Sequence, residues 1–464
     1  VITLENRFFP VRSAACFFVE GGIILVSVLS SFLILHKSGN DATISLRDAA
    51  VRGVVVAFFC QSCMYLLDMY DLKHSQKWGE LIFSLMFAVG VVCVGIGLVT
   101  YVVPGFGVEG SMYYLTILFV SILLLLWRIS FDIYLKRFSP KEKILILGTG
   151  ETAQLLGREI RQRERLGFQL VGFVSIEPED GSGMASIGKL LGDVSRLVAI
   201  AREHRVKKVV VALNERRGGY PIASLLDLKV RGCKIIEWPT FFEMLSGRIP
   251  IDNLAPSYFI FQAGFRKSPL LLYTRRLVSF LTALVLLLLL LPVIIITALL
   301  IKIDSQGPVF YTQDRVGRNG KTFRIVKFRS MRVDAESTGS AVWATENDPR
   351  VTRVGRWIRR TRIDEIPQLW NVLRGDLGIV GPRPERPEFV STLEAMIPYY
   401  ALRHTIAPGL TGWAQVMFTY CGSIEESKEK LQYDLFYLKN MSIKLDLLVL
   451  FSTIKIVLLG RGAR

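Results

Sequence analysis

Asp364 and Glu365 stand side by side, with Arg353, Arg356, Arg359, Arg360 and Arg362 just before them and Arg374 and Arg383 after. Guanidinium forks match phosphate oxygens, so this density of arginine suits a phosphorylated, anionic substrate. A carboxylate pair in such a field can serve as nucleophile, base or metal ligand. Helix capping explains one such carboxylate and accounts less well for two adjacent ones. Pro367 predicts a helix starting close to Asp364, because proline fits a first helical turn. Arg383 and Arg386 project from a backbone stiffened by Pro382, Pro384 and Pro387, which lowers the entropy cost of gripping a phosphate. Lys327 and Arg329 alternate on one strand face, where both could reach an anion; a solvated basic face is the alternative. His404 has no second histidine at ligand spacing, so no metal role is expected for it.

Several elements must position these groups. Gly317 to Gly320 forms a tight turn between predicted strands Val309 to Thr312 and Phe323 to Lys327, and apolar spacing from Arg356 to Leu373 is helical. Upstream, Leu277 to Leu300 is almost wholly apolar but interrupted by Pro292, which bends a helix. A straight span would put the flanking regions on opposite sides of a membrane, whereas a broken re-entrant helix would keep them together. Arg275 and Arg276 before it and Lys302 after it favour the same side. Near the C-terminus, Asp434 to Leu438 and Ile443 to Leu459 read as amphipathic segments at the membrane interface, packed against this fifth apolar run.

Further upstream lie apolar runs at Ser13 to Leu35, Ala49 to Leu67, Leu81 to Val103 and Tyr113 to Leu126, each near a membrane-crossing length once its flanks are counted. The first reads as an anchor rather than a cleaved signal peptide. Arg128, Lys136, Arg137, Lys141 and Lys143 after the fourth run place that side in the cytoplasm, and the loop from Pro104 to Ser111 carries no basic residue. Glu20 and Asp68 are expected to sit at an interface or snorkel. From Lys143 the pattern becomes a small Rossmann-like α/β unit, with predicted strands at Ile144 to Leu147, Leu170 to Val174, Val209 to Ala212 and Lys234 to Ile236. Predicted helices open near Glu151 and cover Ser195 to His204 and Pro221 to Leu228. Its Gly148, Gly150 and Ala153 fingerprint is a weak nucleotide signal, because such a turn also serves simply to bend strand into helix, and Ser175, Ile176 and Glu177 offer no convincing ribose-binding acid. Thr240 to Lys267 reads as a linker with short helical pieces.

The 464 residues are ample for several domains, and the Leu-rich and Val-rich runs indicate a membrane protein. The net charge of +17 comes from residues beside apolar segments and around the carboxylate pair, which favours anionic lipid headgroups and a phosphorylated substrate over nucleic acid. Cys16, Cys60, Cys63, Cys93, Cys233 and Cys421 show no paired zinc spacing, and four lie within apolar runs, so neither a disulfide scaffold nor a metal cluster is expected.

The chain resembles the bacterial large polyprenyl-phosphate sugar-1-phosphate transferases, which initiate exopolysaccharide and O-antigen assembly. The resemblance is carried by IDEIPQLWNVLRGDLGIVGPRP from Ile363 and PGLTGWAQ from Pro408, and it extends to the whole architecture. It implies an α-helical membrane domain over residues 1–138, a degenerate Rossmann-like α/β domain over 139–240, a linker over 241–270, and an α/β monotopic catalytic domain with a re-entrant membrane helix over 271–464. It further implies that Asp364 attacks the β-phosphate of a UDP-sugar with Mg²⁺ offsetting charge, releasing UMP, and that undecaprenyl phosphate then takes the sugar-phosphate from the carboxylate. Glu365 would hold Mg²⁺ with Asp364 or orient the nucleophile. Arg383 would contact the diphosphate, with Lys327, Arg329 and Arg386 as further phosphate-binding candidates. The enzyme would lie in the bacterial inner membrane among its lipids, with the catalytic domain on the cytoplasmic face, and the N-terminal spans could pair as a homodimer. The family often carries an Asp shortly after the basic pair, where this chain has Leu277, Val278 and Ser279. Two other readings remain: a membrane-tethered, NAD-dependent sugar-nucleotide-modifying enzyme, and a non-enzymatic assembly protein. Neither accounts for the density of Arg, Asp and Glu between Asp348 and Glu388.

Overall fold

A computed structural model describes residues 11–37, 45–70, 78–102, 110–137, 141–163, 167–176, 187–213, 220–252, 254, 256–333, 348–418 and 423–459. Glu177, Cys421 and loop positions 104–109 lie outside the described residues. The chain forms two compact units, Val1–Leu245 and Ser246–Arg464.

The first unit begins with four helices, α1 (Val11–Lys37), α2 (Leu46–Leu66), α3 (Trp78–Val102) and α4 (Gly110–Arg137). Ile24, Val28, Met64, Leu85, Ala88 and Leu124 are buried between them, while Phe18, Phe58 and Phe83 point outward. Outward apolar side chains on helices of this length fit a hydrocarbon surround, and α1, α2 and α4 are long and apolar enough to cross a membrane. The described apolar part of α3 is shorter, Gly79–Val94. Glu20 does not snorkel. It is fully buried and pairs with Arg128, whose Nε lies 2.5 Å from Oε1 and whose Nη2 lies 2.9 Å from Oε2, while Nη1 donates to Met69 O at 2.6 Å. The pair ties α1 to α4 and to the turn after α2, a geometry in which each buried charge has a partner.

The α/β part runs β1 (Glu142–Leu147), α5 (Glu151–Gln162), β2 (Phe168–Ser175), β3 (Leu190–Asp193), α6 (Leu197–Glu203), β4 (Lys208–Val211), α7 (Ile222–Val230), β5 (Lys234–Glu237) and α8 (Trp238–Ser246). Its parallel sheet has the order β3-β2-β1-β4-β5. Ile144 to Leu147 are fully buried, as expected where helices cover both faces of a parallel sheet. The four strands read from the sequence are present; β3, a short edge strand without an apolar run, was not expected. Gly148 has φ 122°, and a Cβ there would lie 2.5 Å from Ala212 O, so close backbone approach alone requires this glycine.

The second unit opens with α9 (Ser257–Phe261), and buried Ile249 and Ile251 precede it. Then come α10 (Pro269–Leu289) and α11 (Leu291–Asp304), separated at Leu290 (φ −91°, ψ 3°) with Pro292 in the first turn of α11. Only Ala283 of α10 is buried, and Leu299, Ile303 and other apolar residues of α11 are exposed. The polar region follows as β6 (Phe310–Val316), β7 (Thr322–Phe328), α12 (Arg353–Arg360), α13 (Gln368–Arg374), β8 (Gly378–Val380), α14 (Pro387–Met396), β9 (Gly409–Thr411), α15 (Trp413–Met417), α16 (Ile424–Asn440) and α17 (Ile443–Leu458). β6 and β7 form the expected antiparallel hairpin. Asp434 to Leu438 do not lie at an interface: they sit in the buried part of α16, whereas α17 exposes Leu447, Phe451 and Ile454.

β8 and β9 pair in parallel, and their backbones meet through glycine. Gly381 N donates to Thr411 O at 2.8 Å and Gly409 N to Pro382 O at 2.9 Å. A Cβ on Gly409 would overlap Gly381 N, and one on Gly412 would overlap Gly381 O. Gly412→Ala is therefore expected to cost more than about 4 kcal/mol of stability in the second unit, the range of severe backbone clashes. Thermal denaturation of the purified chain, followed by protection of residues 378–412 from hydrogen exchange, would check this; an unchanged melting temperature would contradict it.

Candidate functional site

Asp364 and Glu365 lie in a 3₁₀ turn, Ile363–Glu365, rather than in the first turn of the helix; Pro367 caps α13, which starts at Gln368. The turn is entered through Arg362 in a left-handed conformation (φ 58°, ψ 17°), unfavourable for a residue with a Cβ. Surrounding contacts hold it there. Asn371 of α13 is fully buried, accepts from Val326 N at 3.0 Å and donates to Arg324 O at 2.8 Å, which fixes α13 against β7. At the far end of α13, Arg276 donates to Val372 O and, at 2.7 Å, to Leu373 O, satisfying carbonyls that a helix C-terminus leaves open. Arg275 pairs with Asp446 at 2.6 Å and donates to Val380 O at 3.0 Å.

This scaffold brings three cations to one carboxylate. Glu365 Oε1 accepts from Lys327 Nζ at 3.1 Å and from Arg383 Nη2 at 2.8 Å, and Arg362 Nη1 lies 3.8 Å from Oε2. Burial would raise the Glu365 pKa, but Arg383, Lys327 and Arg362 outweigh it and hold the carboxyl well below its ordinary range. Asp364 behaves oppositely. Among the described residues it makes no hydrogen bond or ion pair, and burial together with the neighbouring Glu365 charge pushes it up to about 6, against the pull of Lys327, Arg383 and Arg359. The turn thus carries one neutralised carboxylate and one unengaged, destabilised one.

Arg383 is held from behind. Arg403, buried, donates through Nη2 to Arg383 O at 2.9 Å and through Nη1 to Tyr400 OH at 2.7 Å, and it pairs with buried Asp434 at 2.8 Å. Arg315 donates to Pro384 O at 3.2 Å, and Glu385, between the two prolines' arginines, accepts from Lys430 at 2.7 Å. Despite burial, Lys430 and Arg403 hold Glu385 down to about 2. Neither Arg403 nor Glu385 was singled out from the sequence; the signal available was their position inside the motifs on either side of His404 and Arg383.

The remaining sequence candidates divide. Lys327 and Arg383 join the carboxylate pair. Arg386 is half-buried at the start of α14, close enough to Arg315 to lower its pKa once burial is counted. Arg329 is not brought to the pair by its β-strand alternation with Lys327. It is buried at the end of α11, donating to Gln306 O, Ser305 O and Ser305 Oγ, each at 2.8 Å, because the chain beyond Phe328 leaves the strand and turns beneath that helix end. His404 is kept neutral, burial and Arg403 pushing it down to about 4. Among the described residues no cluster of three or more His, Cys, Asp or Glu could enclose a metal. Mg²⁺ needs no such cluster: one or two carboxylates with water and substrate phosphates complete its shell, and the unengaged Asp364 beside Glu365 suits that pattern.

The fold and site are those of a membrane-associated protein whose cation-ringed carboxylate pair suits an anionic substrate. Residues 271–460 match the sequence model of the bacterial sugar transferase family, and residues 65–235 match that of a CoA-binding domain. The chain is 31% identical over 440 residues to the undecaprenyl-phosphate glucose phosphotransferase of Komagataeibacter xylinus, covering 92% of this chain and 80% of that one. It is 33% identical over 318 residues to the UDP-glucose:undecaprenyl-phosphate glucose-1-phosphate transferase of Escherichia coli, covering 68% and 67%. Over 222 residues, 48% of this chain, it is 43% identical to the UDP-N-acetylgalactosamine-undecaprenyl-phosphate N-acetylgalactosaminephosphotransferase of Aeromonas hydrophila, and there it spans about half (52%) of the relative's length. The chain belongs to the bacterial undecaprenyl-phosphate sugar-1-phosphate transferase family.

The raised Asp364 pKa carries a stability signature. The folded chain holds a proton here that the unfolded chain has lost, so ionisation destabilises the fold increasingly from about pH 4 and fully above about 6. Asp364→Asn removes this penalty and should raise the melting temperature by a few degrees at pH 8, a difference that closes as pH falls through 6 towards 4. A variant melting below the parent at pH 8 would contradict the electrostatics.

Proposed function

We propose that residues 271–464 are the catalytic domain and transfer a sugar-1-phosphate from a UDP-sugar to undecaprenyl phosphate through a covalent aspartyl-phosphosugar. Residues 1–138 would anchor it in the inner membrane, 139–240 would be an α/β unit outside the chemistry, and 241–270 the connection. The division of labour between the two carboxylates carries the mechanism. Glu365, neutralised by Lys327, Arg383 and Arg362, is a poor nucleophile and a good orienting group; Asp364, without a hydrogen bond among the described residues, is the reactive one.

An Asp364 oxygen attacks the β-phosphorus of the UDP-sugar, forming an acyl-phosphate bond while the bond to the α-phosphate oxygen breaks and UMP leaves. An oxygen of undecaprenyl phosphate then attacks the same phosphorus, the bond to Asp364 breaks, and undecaprenyl-diphospho-sugar departs with the carboxylate restored. Arg383 and Lys327 face the diphosphate and offset the charge it brings, and the Arg403 and Arg315 contacts keep the Pro382 to Pro384 loop from moving as that charge shifts. Mg²⁺, held by Asp364 and Glu365 together with substrate phosphates, would supply further neutralisation of the diphosphate.

A re-entrant course for α10 and α11 suits this chemistry, because a phosphate on a lipid and a nucleotide from water must meet at one cytoplasmic interface. It is supported by what the two ends touch. Arg276 binds carbonyls of α13, while Asp304 Oδ2 accepts from Val354 N of α12 at 3.0 Å, and one short turn joins those two helices. A straight helix from Arg276 to Asp304 would be about 42 Å long. The break at Leu290 lets both ends return to one body.

The test is UMP release by detergent-purified chain from a panel of UDP-sugars with Mg²⁺ and undecaprenyl phosphate, with mass spectrometry for a trapped adduct. Asp364→Asn should lose UMP release by about three orders of magnitude or more and form no adduct. Arg383→Ala should lower kcat/KM by roughly 10²–10³, as when a charge-stabilising donor is removed. For the parent, kcat/KM should fall as pH drops below about 6, where Asp364 takes up a proton. Turnover by Asp364→Asn at the parent rate would sink the covalent assignment.

A further inference from the structure

The arginines before the carboxylate pair do not act as one group. α12 (Arg353–Arg360) turns about 100° per residue, which puts Arg353, Arg356, Trp357 and Arg360 within one arc of roughly 100° and Val354, Gly355 and Ile358 on the other side. Burial follows that division. Gly355 and Ile358 are buried, while Arg353, Arg356 and Arg360 are exposed and Trp357 is 50% exposed. Arg359, off this arc, is the one whose charge reaches both Asp348 and Asp364. Among the described residues no carboxylate pairs with Arg353, Arg356 or Arg360.

The depth of this face is set by its neighbours. Val354 and Ile358 pack with Ile294, Ala298 and Ile301 of α11, and Asp304, the last residue of α11, accepts from Val354 N at 3.0 Å. On the opposite flank, a Cβ at Gly355 would overlap Ser330 O, and Thr352 N donates to that same oxygen at 3.1 Å. α12 is therefore pinned at the last turns of an apolar helix whose Leu299 and Ile303 are 59% and 83% exposed. Side chains of that kind need hydrocarbon around them, so the adjoining arc of three cations and an indole lies at headgroup level, where tryptophan and arginine are both favoured.

We propose that Arg353, Arg356, Arg360 and Trp357 form a docking face for the headgroups of anionic phospholipids of the surrounding leaflet, separate from the groups that hold the substrate. Three guanidinium groups without a carboxylate partner among the described residues would each bind a lipid phosphate, and Trp357 would seat the helix at the boundary with the acyl chains. The face would enrich anionic lipid beside the Asp364 turn and fix the level at which that turn meets the membrane. It rests on the membrane placement of α11 and needs no particular donor sugar.

The full chain, reconstituted in mixed bilayers of phosphatidylcholine and phosphatidylglycerol, tests this by retained lipid and quenching, with kinetics as a control. After detergent extraction, mass spectrometry of retained lipid should show the parent enriched in phosphatidylglycerol, and the combined Arg353→Gln, Arg356→Gln, Arg360→Gln variant should lose that enrichment by about fivefold or more, given the attraction of each basic residue to an anionic surface. The matching triple Lys variant should retain most of it. Should the Gln variant fail to fold, the single exposed change Arg356→Glu should still lower the ratio. In bilayers with bromine on acyl carbons near the headgroup, the fluorescence component that Trp357→Phe removes should be quenched. A folded Gln variant with the parent's lipid ratio overturns the proposal. So does a Trp357 component that headgroup-level bromine leaves untouched, or a Gln variant whose only defect is a raised KM for the nucleotide sugar in neutral and anionic bilayers alike.

Discussion

Three cations converge on the carboxylate of Glu365, and the rest of the second unit is arranged to keep them there. Each comes from a different element: Lys327 from a hairpin, Arg362 from a left-handed residue before a 3₁₀ turn, Arg383 from a loop between prolines. Bringing like charges this close is unfavourable without the central anion, and a buried anion is unfavourable without them. The cluster is stable only as a whole. Its existence leaves Asp364, the residue just before, with an adjacent negative charge and, among the described residues, no hydrogen-bonding partner of its own.

Supporting layers convert this local requirement into a fold. Asn371 fixes the helix after the turn to the strand bearing Lys327, accepting from Val326 N and donating to Arg324 O. Arg403 and Arg315 do the same for the loop bearing Arg383 by holding its backbone carbonyls, which leaves the Arg383 guanidinium to Glu365. The glycine contacts between β8 and β9 then bring that loop against the chain segment that carries Arg403. Two short strands suffice, since rigid glycine packing replaces the length that a larger sheet would need.

Much of this was legible in the sequence, and what was not has a common cause. The four N-terminal helices, four of the five strands of the α/β unit, the β6–β7 hairpin and the break near Pro292 all follow from periodicity and from proline and glycine chemistry, which act over a few residues. The carboxylate pair with Lys327 and Arg383 was read from residue type and motif, and these four do come together. The roles of Glu20, Arg329 and Arg403 depend on partners far along the chain or on where a strand ends. Glu20 looked like an interfacial acid because Arg128 is 108 residues away, and Arg329 looked like a partner of Lys327 because strand alternation was carried one residue past the strand. Asp434, read as part of an amphipathic surface run, is the buried counter-ion of Arg403. Local pattern identified the charged residues, and only tertiary contact decided which face water and which face each other.

The separation of Glu20 from Arg128 also bears on how the chain enters the bilayer. At a synthesis rate of about 5–20 residues per second, the acid leaves the ribosome roughly 5–20 seconds before its cation. For that interval α1 holds an unpaired acidic side chain, of a kind that costs about 2.5–3.5 kcal/mol at the centre of a membrane helix. Alone in lipid, the first helix bears that penalty. Arg128 removes that penalty only once α4 has packed against α1, so the packing of the four helices is completed late in synthesis.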